Sequence, residues 1–132
     1  MVQISGRYQH VENVNFFELL KKTGATDEQA SAGDKTRAIM TVALDGDRVR
    51  IKLEGFGEDI ENHFVLGQES DEKLQKGIVS KTTVTKEGDT LKFVAKENGS
   101  ETYSRLYKFT DSGLEVIMNL EGFEAKRIYK RL

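Results

Sequence analysis

Clusters of turn-forming residues punctuate the second two-thirds of the chain with regular spacing: Asp45-Gly46-Asp47, Gly55-Phe56-Gly57, Glu87-Gly88-Asp89, Glu97-Asn98-Gly99, Asp111-Ser112-Gly113 and Glu121-Gly122. Gly, Asn and Asp tolerate the positive φ of tight hairpins, and a spacing of about eight to twelve residues is what an antiparallel meander produces. The runs between them, 36–44, 48–54, 59–66, 78–85, 90–96, 101–110, 114–120 and 123–132, read as strands. Several alternate: Val49, Ile51 and Leu53 against Arg48, Arg50 and Lys52, or Leu91, Phe93 and Ala95 against Lys92 and Lys96. One face of each is dry and the other wet. With 6–12 this makes nine strands, and consecutive hairpins of that number close on themselves to remove exposed edges.

One region departs from the two-residue period. In 15–22, Asn15 is placed as an N-cap, Glu18 follows three residues later, and Phe16, Leu19 and Leu20 have helical spacing, with Gly24 as the stop. A second short helix is expected over 26–32, with acid in its first turn and Gly33 at its C-terminal cap. A helix pair inserted between the first and second strands cannot join the sheet. It is expected to cover an open end of the barrel as a lid, and a barrel of nine or ten strands encloses a cavity.

The 132 residues are expected to form one domain, 1–132, large enough for a sizeable core. Twenty Lys plus Arg against 22 Asp plus Glu give a net charge of -2, which provides no electrostatic footprint for nucleic acid or an acidic membrane. There is no Cys, so disulfides and thiolate metal sites are excluded. The start of the chain lacks a signal-peptide pattern, and no apolar run approaches the roughly 20 residues of a membrane span. A soluble cytoplasmic protein is expected.

Catalytic and metal chemistry find little support. His10 and His63 have no nearby acids at metal-ligand or triad spacing, no Ser lies in a Gly-x-Ser-x-Gly elbow, and the glycines match no phosphate loop. The acidic run Glu69-Ser70-Asp71-Glu72 reads as a solvated connection. The chain is therefore expected to be a binding protein, with no enzyme activity, cofactor or metal, and an enzyme acting on lipids inside the barrel is the less favoured alternative.

The exception to blandness is the final strand. Arg127 and Tyr129, two apart, share a face with Phe123 and Ala125, and that face reads as internal. A cation among apolar neighbours is costly unless something negative meets it, which makes the pair a candidate anion hook. Arg105 shares a face with Tyr103, Tyr107 and Phe109, while Thr102, Ser104 and Lys108 take the other. Arg105 and Arg127 thus project inward from strands separated by one hairpin partner, 114–120, and are candidates to meet one carboxylate. Internal pairing with Asp or Glu, or an outward position after a one-residue register shift, is the alternative.

In this order, the chain resembles the intracellular lipid-binding proteins, which include fatty acid-binding and cellular retinoid-binding proteins. The pieces are Gly6-Arg7-Tyr8, Asn15-Phe16, Gly24 and Gly33, Asp71-Glu72, Ser80 through Thr85, and the ending Arg127-Ile128-Tyr129. Weak singly, they are specific in combination, and they span essentially the whole chain. The resemblance implies a mainly β fold, a ten-stranded up-and-down antiparallel barrel with a two-helix lid, whose tenth strand falls near 70–75. It also implies a monomeric carrier of a long-chain fatty acid, or of retinoic acid or another hydrophobic carboxylate. Arg105, Arg127 and Tyr129 would hold the head group, and Phe16, Leu20, Met40, Val116 and Met118 would line the pocket. The lid segment Thr26-Asp27-Glu28-Gln29 is acidic, with Lys21, Lys22, Lys35 and Arg37 beside it, so at most transient membrane contact is expected through the lid.

Overall fold

The computed structural model describes residues 3–22, 24–35, 37–55, 59–73, 79–97, 100–120 and 122–132. Phe56, Gly57, Asn98, Gly99 and Glu121 of the predicted turns, Thr36 and Ile78 at the starts of predicted strands, and Gln75 near the implied tenth strand lie outside these residues.

The turn spacing is realised as a single sheet of ten antiparallel strands: β1 (Gly6–Val14), β2 (Ile39–Asp45), β3 (Arg48–Glu54), β4 (Ile60–Val65), β5 (Glu69–Lys73), β6 (Val79–Glu87), β7 (Thr90–Glu97), β8 (Ser100–Phe109), β9 (Gly113–Leu120) and β10 (Phe123–Arg131). Two helices, α1 (Phe16–Lys22) and α2 (Asp27–Lys35), stand between β1 and β2. The hydrogen-bonded order is β4-β3-β2-β1-β10-β9-β8-β7-β6-β5, so the sheet curls into a nearly closed barrel whose ends β4 and β5 face each other. The nine strands read from turn spacing are present, and β5 is the tenth that the resemblance implied. Glu69–Lys73 is therefore strand and not a solvated connection. Its run of polar residues hid a two-residue alternation in which only the inward Glu72 is buried.

Asn15 stands at the N-cap of α1 as expected, with a φ of 57° and its backbone carbonyl accepting the Leu19 N–H at 3.0 Å, and the second helix departs from expectation at its end. α2 runs past Gly33 to Lys35. Its start is a reciprocal capping box: Gln29 N–H donates to Thr26 Oγ1 at 3.1 Å, and Thr26 N–H donates to Gln29 Oε1 at 3.0 Å.

Alternating apolar residues from all sides meet in the interior, where Phe64, Phe93 and Tyr107 form an aromatic row with centroids 5.4 and 4.5 Å apart. Tyr8 donates to the Ile4 carbonyl at 2.7 Å, and the Arg131 guanidinium lies 4.9 Å over its ring. Arg131 also donates to the carbonyls of Gln3 and Thr110, which ties the N-terminal segment, the β8–β9 turn and β10 together. Gly113 permits β9 to approach β10 closely: a Cβ there would stand 2.1 Å from the Tyr129 carbonyl oxygen.

Between β4 and β5 a side chain substitutes for a ladder. Asn62 donates through Nδ2 to the Lys73 carbonyl at 2.9 Å and accepts the Lys73 N–H on Oδ1 at 2.7 Å, the paired exchange a facing residue would make. Asn62→Ala leaves that backbone pair unmet in a half-buried place, so a loss of about 1–3 kcal/mol in stability is expected. Urea denaturation measures it, and amide exchange at Lys73 should accelerate more than at Val84, in the core of β6.

Candidate functional site

The inner face of β10 carries Arg127 and Tyr129 where alternation placed them, with Tyr129 4% exposed. They face β1, where a bulge does something regular alternation cannot. His10 pairs with Tyr129 and Asn13 pairs with Arg127, although His10 and Asn13 are three positions apart. In an unbroken strand those two would point to opposite faces; the register shift between His10 and Glu12 turns both inward and leaves Val11 exposed. Asn13 Oδ1 then accepts from Arg127 Nε at 3.2 Å and from His10 Nε2 at 2.5 Å. Sequence reasoning missed both residues, because a bulge leaves no mark in a hydrophobicity pattern.

The same asparagine reaches the lid. Its Nδ2 donates to the Asp34 carbonyl at 2.9 Å and to Asp34 Oδ1 at 3.1 Å, in the last turn of α2. Phe16, the first residue of α1, lies over the Arg127 guanidinium at 4.5 Å, and Lys22 lies over the Phe123 ring at 5.0 Å. Lys21 pairs with Asp27 at 2.6 Å and joins the two helices. Arg127 is thus roofed by the lid and connected to it through one amide.

Tyr129 has its hydroxyl pushed up to about 12 by burial, with Arg127 opposing the rise. At neutral pH it is a phenol able to donate. Its ring meets His10 edge-on at 5.2 Å. His10 is 1% exposed, and its ring basicity is lowered by burial and by the nearby Arg127 and Arg37. With Nε2–H given to Asn13, its Nδ1 accepts from Arg37 Nη1 at 3.4 Å. Protonation would turn that acceptor into a donor facing a cation. A histidine whose folded pKa lies below its unfolded value makes the folded state bind fewer protons, so stability rises with pH between the two values. Stability should therefore hold above about pH 6.5, the unfolded histidine value, and fall as the pH drops below it. Denaturant midpoints across pH 7.5 to 5 measure this, and His10→Gln should flatten the slope.

Arg105 is on the inner face of β8 but is brought to a different partner. Its Nη2 reaches Glu72 Oε1 at 2.5 Å and Oε2 at 2.7 Å, and Thr82 Oγ1 donates to Glu72 Oε1 at 2.8 Å. Arg105 Nη1 donates to the Tyr107 hydroxyl at 3.3 Å, and the guanidinium lies 4.8 Å over Phe93. Burial alone disfavours the cation, yet Tyr107 and Glu72 opposite it hold its pKa raised. The internal pairing left open by the sequence is the one found. Across β9, Arg127 is in register with Val116 and Tyr107, while Arg105 is in register with Met118 and Ala125. The two arginines belong to separate clusters one row apart, with Val116 and Met118 buried between their strands.

Of the other expected lining residues, Phe16 is buried against Arg127, Leu20 is half-buried against the core, and Met40 is buried on β2 opposite Tyr8 and Leu53. His63 lies outside on β4 with Glu61 as its neighbour. Among the described residues no cluster of three or more His, Cys, Asp or Glu could hold a metal, and no helix is long and apolar enough to cross a membrane.

No family model matches the chain. A fatty acid-binding protein of Tyrophagus putrescentiae is 32% identical over 131 residues, covering 99% of each chain. The bilirubin-inducible fluorescent protein UnaG of Anguilla japonica is 34% identical over 134 residues, covering 96% of this chain and 94% of its own. Its solved structure superposes with a TM-score of 0.83 at 30% identity, over 97% of this chain and 96% of that one. A Schistosoma mansoni fatty acid-binding protein in complex with arachidonic acid superposes at 0.88 over 98% of this chain and 96% of that one, with 22% identity, and so speaks for the fold. The chain belongs to the fatty acid-binding protein family.

Proposed function

We propose that the protein is a monomeric cytoplasmic carrier that reversibly binds a long-chain fatty acid inside the barrel, without a catalytic step. The observation that carries this is the Arg127–Tyr129 pair, inward-facing and roofed by Phe16. A guanidinium and a neutral phenol on one face match a carboxylate, since charge-assisted hydrogen bonds to a carboxylate are about twice as strong as neutral ones. Arg105, answered by Glu72, adds a more distant field. The tail would lie along Phe16, Leu20, Met40, Val116 and Met118, each buried methylene contributing about 0.8 kcal/mol without directional demands. Head group and not chain length should therefore set ligand class.

Membership of the family named for fatty acids supports this reading. The similarity to a relative whose name ties its fluorescence to bilirubin favours a second reading, another hydrophobic carboxylate. Mass spectrometry of lipids extracted after purification under native conditions tests both. Fatty acids are the expected cargo, and oleate should displace a fluorescent fatty acid at lower concentration than retinoic acid or bilirubin. A cargo without a carboxylate, or equal displacement by oleyl alcohol, would contradict the carrier function.

A further inference from the structure

We propose that Glu72, Tyr107 and Tyr103 around Arg105 form a second polar station for the bound lipid, one that takes a neutral hydroxyl on the tail and rejects a second carboxylate. This rests on the carrier function above and narrows its ligand to long-chain acids bearing a hydroxyl.

Three features point to it. The Arg105 charge is met from within by Glu72, so an additional anion arriving there would face a carboxylate as well as a guanidinium. The pair is nevertheless incompletely used. Among the described residues Arg105 Nε is buried without a hydrogen-bond partner, and Glu72 Oε2 receives a single bond, against two on Oε1. Finally, two phenols stand beside the guanidinium, and no acceptor for either proton lies among the described residues. Tyr107 accepts from Arg105 and donates to none of them, and Tyr103 lies with its ring 5.6 Å from the guanidinium.

A buried donor left unmet, as Arg105 Nε is, is costly, and a plain methylene chain offers nothing to it or to the phenols. A hydroxyl suits them because it accepts from a phenol and donates to Glu72 Oε2; a carbonyl would use only the donors, and a carboxylate would be repelled. Burial pushes the Tyr103 hydroxyl up to about 12, so it keeps its proton at neutral pH. The strand of Tyr107 is two ladder spacings from that of Arg127, about 10 Å, which places the hydroxyl part-way along the tail while the carboxylate stays at Arg127.

Affinities of stearate, of stearates hydroxylated at carbon 5, 7, 9, 10 or 12, and of octadecanedioate, measured by calorimetry on the wild-type protein, Tyr107→Phe and Glu72→Gln, test this. At least one hydroxy isomer should bind the wild type as tightly as stearate or more tightly, the others less tightly. Tyr107→Phe, which leaves the ion pair in place, should lower the ratio of that isomer to stearate by about tenfold, the dissociation-constant equivalent of one neutral hydrogen bond. Glu72→Gln retains an acceptor for Arg105 and Thr82; there the dioate, the poorer ligand in the wild type, should gain on stearate. Stearate bound with every hydroxy isomer weaker, by the same factor in wild type and Tyr107→Phe, would overturn the inference and leave the carrier function standing. Failure of stearate to bind the wild type would overturn both.

Discussion

Arg127→Gln weakens oleate binding by about 10- to 100-fold while leaving oleyl alcohol within about twofold of its wild-type affinity. The magnitude follows from a hydrogen bond to a charged group, worth about 1.5–3 kcal/mol, which converts to that range of dissociation constants. Gln retains a donor and most of the volume, so the packing under Phe16 is largely preserved and the lost quantity is charge. The alcohol is the essential control, because it shares the tail and lacks only the anion. Equal losses for acid and alcohol would mean that Arg127 shapes the interior without holding a head group. Tyr129→Phe should show the same asymmetry to a smaller degree, since a neutral donor is removed.

Glu72→Ala lowers stability by about 3–5 kcal/mol, a large part of the 5–15 kcal/mol that holds a typical domain folded. The cause is not the worth of the ion pair. It is the guanidinium left behind: Arg105 has 12% of its side chain exposed, and among the described residues its hydrogen bond other than to Glu72 goes to a neutral phenol. Removing both charges distinguishes this from simple loss of contact. Glu72→Leu combined with Arg105→Leu should be markedly more stable than Glu72→Ala alone, because replacing a buried pair by apolar groups is often close to neutral. Chemical denaturation of the two variants and the wild type measures the difference. A double variant no more stable than the single one would show that the cluster stabilises through attraction and not through avoided desolvation.

The meander was legible in the sequence because its turns carry their own chemistry. Asp45-Gly46-Asp47 joins β2 to β3 with Gly46 at a φ of 61°, and Glu87-Gly88-Asp89 joins β6 to β7 with Gly88 at 58°, the conformations those residues were expected to supply. The inward placement of Arg127 and Tyr129 was legible for an equally local reason, since a two-residue period needs no knowledge of the rest of the fold. What alternation does not carry is partnership across the barrel. Glu72 lies 33 residues from Arg105 in sequence, on a strand whose five residues are all polar and whose one buried side chain is this acid. His10 and Asn13 were hidden by the bulge that brings them to one face. The end of α2 was misplaced because Gly33 has the composition of a cap, while the helix continues through it to Asp34, where Asn13 meets it. In each case a contact distant in the chain outweighed the local preference.

The measurement bearing most directly on the proposed role is a crystal structure of the protein with oleate. The carboxylate should lie inside the barrel beneath Phe16, at about 2.7–2.9 Å from the Arg127 guanidinium, with the Tyr129 hydroxyl as its second donor. A carboxylate directed outward at the lid, with the methyl end against Arg127, would contradict it.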